Sequence, residues 1–393
     1  MKINETINRA DRVMAKTYKR FPIVIDRGKE CTLWDSDGRS YTDFVAGIAV
    51  CNLGHAHPKI VKVLSKQAEL LLHVSNLYYT EPQTELASWL VKKSFADRVF
   101  FCNSGAEANE AAIKLTRKYF KDKGINNRYT IIAMEKSFHG RTMAALSATG
   151  QDKIKEGFDP ELEGFDFVPF NDIDALQKKV GDSTCAVMIE PIQGEGGVRC
   201  PEPEYLKKVR ELCNKTGTLL VFDEIQTGIG RTGKLFAYEN FGIEPDIMTL
   251  AKALANGLPI GAMLATETVA ETFGPGSHAS TFGGTPIITA ASLEVLKTID
   301  KEKIIDHSFK TGNYFIKKLQ YLKEKHDSIE DVRGIGLLLG MKINIDGNMI
   351  VQKCMERGFL INCIQGNILR FIPPLIIKEK AIDELINCLD DIL

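Results

Sequence analysis

Short apolar runs recur between residues 98 and 265, each closed by a polar or glycine-rich turn. The runs at 98–102, 130–134, 185–189, 219–222, 247–250 and 260–265 show no clean two-residue alternation. Runs of this kind predict strands covered on both faces, as parallel strands are. Helical patterns stand between them; Ala108, Ala112, Leu115 and Tyr119 form one such face. Before this stretch, the segment around Asp37-Gly38 predicts a small antiparallel hairpin. A helix with Pro58 near its start and a stripe of Ile60, Val63 and Leu64 follows. After it, 291–325 predicts one long helical region with a break near Asp306. Strands at 336–343, 359–361 and 368–371 and a terminal helix from about Lys378 complete an α+β part. The expected division is an N-terminal segment 1–50, a large α/β domain 51–290 and a C-terminal part 291–393, with the two ends sharing a small domain.

Composition narrows the class of function. With 393 residues, 44% of them apolar and 26% charged, the chain can bury a large core without staples. A net charge of −1 supplies no field for nucleic acid or an anionic membrane, so a small-molecule enzyme is expected, with no nucleic-acid and no membrane partner. The nine cysteines are odd in number and include no C-x-x-C pair, which fits reduced thiols in a cytoplasmic protein. The first residues contain no apolar signal segment, and no 18-residue apolar run occurs.

The chemistry concentrates at the ends of the apolar runs. The run 219–222 ends in Asp223 and Glu224, and the run 247–250 ends near a lone lysine, Lys252. An acid and a lysine just beyond two buried strands suit pyridoxal phosphate (PLP): the lysine forms a Schiff base with it, and the acid keeps its ring nitrogen protonated. A buried lysine loses basicity and becomes a nucleophile toward carbonyls. Ser104 with Glu107 reads as a capping box opening a helix, and free N–H groups there, with Gly105 admitting close approach, can hold a phosphate. Phe138, His139 and Arg141 share one loop, where Phe138 can lie on a planar ring and Arg141 can fork a carboxylate. Glu190 and Glu195 flank another strand end. Read singly, each is ordinary: a capped helix, a packed Phe, a structural His, a solvated Arg, an exposed Lys. Their order along the chain is what favours the cofactor site.

Other motifs are weaker. Gly228-x-Gly230-x-x-Gly233 matches a dinucleotide fingerprint, but Gln226 and the acids intervene between strand and glycines. The near P-loop ending at Lys234 has Leu235 where Ser or Thr must meet magnesium. This glycine loop is expected to be a wall of the site instead. His55-Ala56-His57 lacks further ligands at suitable spacing, so no metal is expected.

NSGAEANEAAIKL, SFHGRT, EPIQGEGGV, VFDEIQTGIGRTG, LAKAL, STFGGTP and LRFIPPL stand in the order found in class III PLP-dependent aminotransferases, which the chain resembles over nearly its whole length. The resemblance implies a fold-type I α/β fold: a mainly parallel sheet with helices on both faces, plus a small α+β domain from both termini. It implies Lys252 as the Schiff-base lysine, Asp223 on the pyridine nitrogen, Gln226 on the phenolic oxygen and Phe138 on the ring. Ser104, Gly105 and Ala106 would hold the phosphate, and Thr281 would reach the phosphate of the neighbouring subunit in a homodimer with shared sites. Arg141, Ser280 and Tyr18 match substrate positions. Arg370 matches the arginine for the α-carboxylate of glutamate, with Glu195 its alternating partner.

Within the family, GIAV, LGHAHP and SNLYYTEPQ resemble the acetylornithine branch, implying N-acetylornithine and 2-oxoglutarate as substrates in arginine biosynthesis. Ile48 suits an acylated amino group, whereas Tyr18 is placed as in ornithine enzymes, so ornithine, succinylornithine and 4-aminobutyrate remain alternatives. Arg141 with Arg370 argues against an aminomutase. Retention of Lys252 and Asp223 argues against a non-catalytic binding protein.

Overall fold

The computed structural model describes residues 2–393; Met1, the first residue of the expected N-terminal segment, lies outside them. Two short hairpins open the sheet structure: β1 (Ile25–Lys29), β2 (Thr32–Asp35) and β3 (Ser40–Asp43). The central sheet contains β4 (Arg98–Cys102), β5 (Thr130–Met134), β6 (Phe165–Val168), β7 (Thr184–Ile189), β8 (Leu219–Asp223), β9 (Ile247–Leu250) and β10 (Gly261–Ala265). Its order is β4-β10-β9-β8-β7-β5-β6. Strands β5 to β9 pair in parallel, while β10 runs antiparallel to both of its neighbours. The sheet is therefore mainly parallel, as expected.

Successive residues in these strands enter different cores. Val187, Leu220 and Phe222 join one apolar cluster, whereas Ala186, Met188, Leu219 and Val221 join another. A strand sends alternate side chains to opposite faces, so a run apolar at every position must be covered on both. The helix Gly105–Asp122 covers one face through Ala111, Ala112 and Leu115. On the other, Val209 and Cys213 of the helix Tyr205–Thr216 pack with Leu220 and Phe222.

Both ends of the chain build two further sheets. In one, β13 (Phe359–Leu360) pairs in parallel with β3, so a C-terminal segment completes the N-terminal sheet. The other has the order β11 (Ile329–Ile335), β12 (Leu338–Ile343), β15 (Ile368–Phe371), β14 (Asn362–Ile364). The break expected near Asp306 lies at Glu302–Lys303, between the helices Pro286–Lys301 and Ile304–Lys325. Lys303 is left-handed there, with φ 54°, and a non-glycine residue gives no warning of such a turn.

Candidate active site

The parallel strands deliver their chemistry at one edge of the central sheet, outside the strands' carboxyl ends, where open α/β sheets form their binding crevice. Asp223 is the last residue of β8 and pairs with Thr249 of β9, and Lys252 follows β9 by two residues. Lys252 has φ 43°, a backbone setting that costs a non-glycine residue energy and marks functional sites. A cavity of about 460 Å³ lies at this edge. Asp223, Gln226 and Lys252 line it, together with Ser104, Gly105 and Ala106 at the start of the helix Gly105–Asp122. Phe138, Arg141 and Glu195 complete the expected set.

Asp223 is held by His139, which the sequence offered only as a structural histidine, and by Asn109, which it did not single out. Its Oδ2 accepts from His139 Nδ1 and Asn109 Nδ2, each at 2.8 Å, and its Oδ1 accepts from the Ile225 N–H at 3.0 Å. Asn109 Oδ1 in turn accepts from Thr249 Oγ1 at 2.7 Å. The only signal for Asn109 was an amide on an otherwise apolar helix face, one turn beyond Gly105. Burial disfavours a charged His139, but Asp223 outweighs it and raises the His139 pKa above the ordinary value. His139 thus presses positive charge on one carboxylate oxygen, while the other still has lone-pair capacity beside the cavity.

Burial pulls the Lys252 amine down to about 8, against the resistance of the Glu195 charge. Glu190 is a structural acid: it accepts from the Phe138 and Gly194 N–H groups at 3.1 and 3.2 Å, and burial pushes it up to about 7. The capping box is a variant of the expected one. Ser104 accepts from the Glu107 N–H at 3.2 Å, but the Glu107 carboxylate reaches the N–H of Asn103 at 2.7 Å, one residue before the cap. The N–H groups of Gly105 and Ala106 stay free for a ligand, as the first groups of a helix are. A Cβ on Gly105 would come within 2.7 Å of Ile225, so no other residue fits there undisturbed.

Arg370, in β15, is buried and borders neither this cavity nor its neighbour; Glu195 covers it. Arg370 Nη1 donates to Glu195 Oε1 at 2.5 Å and to Gln226 Oε1 at 3.2 Å, and Gln226 Nε2 donates to Glu195 Oε1 at 3.1 Å. Burial pushes Glu195 up, but Arg370 and then Lys252 outweigh it and hold the carboxyl below its usual range.

An adjoining cavity of about 860 Å³ shares Phe138, Arg141, Glu195 and Lys252 with the first and adds Tyr18 and Ile48. Ile48 reaches it from an unusual turn. Ala46, Gly47, Ile48 and Ala49 all have positive φ, from 51° to 68°. Such a left-handed turn costs roughly 1–2 kcal/mol per non-glycine residue. Asp43 holds its start, accepting from the Val45 and Ala46 N–H groups at 2.8 Å, while its other oxygen pairs with His55 at 2.7 Å. His55 is thus committed to Asp43, and among the described residues no cluster of three His, Cys, Asp or Glu could hold a metal.

Ser280 and exposed Thr281 are not brought into the first cavity; they border a surface hollow with Leu77 and Tyr79. The glycine loop 228–233 is not a wall of either cavity. It turns away from the sheet edge to meet both ends of the chain, because its Gly230 carbonyl and Arg231 side chain find their partners there.

The donor set fits a planar, phosphorylated aldehyde with a basic ring nitrogen. A carboxylate oxygen is open to a ring N–H, a half-buried amine faces the same space, and free helix N–H groups suit a phosphate.

Residues 13–393 match the aminotransferase class-III family. The acetylornithine aminotransferase of Caldanaerobacter subterraneus subsp. tengcongensis is 52% identical over 383 residues, 97% of each chain. The crystal structure of acetylornithine aminotransferase from Elizabethkingia anophelis is similar with a TM-score of 0.89 and 36% identity, covering 99% of this chain and 98% of that one. The ornithine aminotransferase of Toxoplasma gondii, in a structure with partial occupancy of PLP at the active site, is similar with a TM-score of 0.95 and 34% identity, covering 99% and 93% of the two chains.

Proposed function

The chain belongs to the class-III aminotransferases, and from that premise we propose that it transfers the terminal amino group of N-acetylornithine to 2-oxoglutarate, giving N-acetylglutamate 5-semialdehyde and glutamate. The observation that carries the proposal is the convergence of Asp223, Lys252 and the helix start at Ser104 on one cavity.

Lys252 would hold PLP covalently, Asp223 its ring N–H, and Ser104, Gly105 and Ala106 its phosphate. Phe138 would lie on the ring face and Gln226 beside its phenolic oxygen. When bound, PLP supplies the electron-withdrawing ring that tolerates a carbanion at the carbon bearing the substrate nitrogen. Lys252 Nζ would be the group that takes the proton from that carbon and gives it back. Its lowered pKa keeps a usable neutral fraction near neutral pH. Arg141 holds the carboxylate of the acylated donor, with Ile48 and Tyr18 around its remaining groups; Ser280, outside both cavities of this chain, would reach the donor only from the neighbouring subunit.

Glu195 neutralises Arg370 while the donor is bound and releases it to the α-carboxylate of glutamate or 2-oxoglutarate. The paired arrangement seen here supports the donor-ready half of that alternation.

In this reading residues 51–290 form the cofactor-binding body, and 1–50 with 291–393 the smaller domain. The protein works as a homodimer, in which Thr281 reaches the phosphate of the neighbouring subunit. Exposed Leu77, Tyr79 and Phe282 around that surface favour a covered face. We place the enzyme in the cytoplasm, a reading supported by nine cysteines that are all unpaired. Among the described residues no helix is long and apolar enough to cross a membrane.

The test is kcat/KM for N-acetylornithine, succinylornithine, ornithine and 4-aminobutyrate, each with 2-oxoglutarate. N-acetylornithine should exceed ornithine by about 10–100-fold, the discrimination one pocket side chain can supply. Tyr18 and Ile48 share one cavity, so a preference for ornithine is the specific outcome that would overturn the substrate assignment.

A further inference from the structure

Arg231 lies in the glycine loop, fully buried and outside both cavities. Its Nη1 donates to the Leu337 carbonyl at 2.9 Å and the Pro373 carbonyl at 2.6 Å, and its Nη2 donates to Asn52 Oδ1. Its Nε is buried without a partner. Every partner is neutral, so the guanidinium forms no ion pair. Burial pulls its pKa down, with Asp43 opposing from a distance, yet a guanidinium keeps its proton in proteins. A buried charge without a counter-charge is a costly way to fill space, and an apolar side chain of similar volume would do it more cheaply.

What the guanidinium achieves is a junction. Its three partners belong to three separate segments: the chain after the left-handed Ile48 turn, the β11–β12 hairpin and the stretch just after β15. Pro373 is three residues beyond Arg370, and Asn52 is four beyond Ile48. The segments are also tied to one another. Leu375 N–H donates to Asn52 O at 2.7 Å, Ile372 N–H donates to Phe44 O at 2.9 Å, and Asn52 Nδ2 returns to Ile229 O of the loop at 2.8 Å. Strand β8, which leads into this loop, ends eight residues before Arg231, at Asp223. One rigid connection therefore runs from the strand end beneath the cavity to the strand that carries Arg370.

We propose that Arg231 is a positioning residue for the dicarboxylate substrate: it fixes the β15 end, and with it Arg370, relative to the sheet edge that carries Lys252, so that a dicarboxylate can meet both. The inference rests on the reading of Arg370 as the arginine for the α-carboxylate of glutamate and 2-oxoglutarate. Without the junction, the strand end gains freedom to shift against the sheet edge, and the two ends of the dicarboxylate no longer meet their partners together. N-acetylornithine is anchored by its carboxylate at Arg141, on a different loop; only the Ile48 side of its pocket is tied to the junction, so it depends on the junction less.

The experiment compares the holoenzymes of the natural sequence, Arg231→Met, Arg231→Lys and Arg370→Ala. The dissociation constant of glutarate, an unreactive dicarboxylate, is read by calorimetry, beside KM for 2-oxoglutarate and N-acetylornithine, the visible cofactor band and Tm. Arg231→Met should raise the glutarate Kd and the 2-oxoglutarate KM about tenfold, equivalent to about 1.4 kcal/mol, with the cofactor band unchanged and the donor KM shifted less than about threefold. Arg231→Lys, which keeps the charge but not the fork, should fall between the two. A lowered Tm with the glutarate Kd within about twofold of the natural protein would overturn the inference, provided Arg370→Ala still weakens glutarate. If Arg370→Ala leaves glutarate binding unchanged, the reading of Arg370 fails first and the inference falls with it. If Arg231→Met does not fold, Arg231→Lys decides by the same Kd; if neither folds, Arg231 serves the fold alone and the inference is wrong.

Discussion

Replacing Lys252 with alanine is expected to lower kcat about 10⁴-fold or more, because in the proposed mechanism one side chain both holds the cofactor and moves the proton. Lys252 follows a strand buried along its whole length, and among the described residues it is the one lysine lining either cavity, so no other amine there can take its place. The loss should appear in both half-reactions equally, since each needs the proton transfer. Adding methylamine should restore part of the rate, as a free amine can carry the proton. A variant retaining more than a tenth of the natural kcat would remove Lys252 from the mechanism. The same residue sets a pH signature. Its amine titrates near 8, so uptake of PLP by protein stripped of it should quicken as pH rises through that value and level off above it.

Asp223→Ala should lower kcat by about 10³-fold, the scale on which a preorganised charge-bearing group stabilises a transition state. The physical reason lies in the second oxygen as much as the first. His139 and Asn109 both donate to Oδ2, and the Ile225 N–H donates to Oδ1, which together orient the carboxylate at the cavity wall. Removing the carboxylate strands two buried donors, one of them a positively biased imidazole, which should cost about 3 kcal/mol of stability as well. Asn is not a conservative substitute, since its NH2 would face either His139 and Asn109 or the Ile225 N–H, all of them donors. Stopped-flow rates for each half-reaction and a thermal melt separate the two effects. A kcat within tenfold of the natural value, in a variant of lowered Tm, would leave Asp223 a structural residue only.

The apolar runs made most of the central sheet legible, because strands covered on both faces must be apolar throughout, and an acid or lysine at the end of such a run stands out. Direction is not written in that pattern: β10 is as uniformly apolar as β9, yet runs the other way. The edge strand β6, with Asp166 inside it, and the charged β11 escaped notice because one face of each is only partly covered. The residues expected at the cavity were found through their motifs. The contacts that orient them were not: Asn109 was not singled out and His139 was read only as a structural histidine, since they act on a carboxylate 114 and 84 positions away. The glycine loop misled for a related reason. Its position after β8 suggested a wall of the site, but its contacts are with Asn52, Leu337 and Pro373, and no local pattern announces partners 106 to 179 positions distant.

The left-handed turn at Ala46–Ala49 was equally silent, with a single glycine among its four residues. Asp43 offsets part of its strain through two N–H groups, and the turn delivers Ile48 to the substrate cavity. Strain of this kind persists only where surrounding contacts over-determine it.

The central claim is that Lys252 carries the cofactor at the sheet edge, opposite Asp223. Borohydride reduction of the PLP-loaded protein, followed by peptide mass spectrometry, tests it most directly. The account predicts loss of the visible band and a phosphopyridoxyl group on the peptide containing Lys252, with none elsewhere. A label on any other lysine, or a protein that binds no PLP, would contradict it.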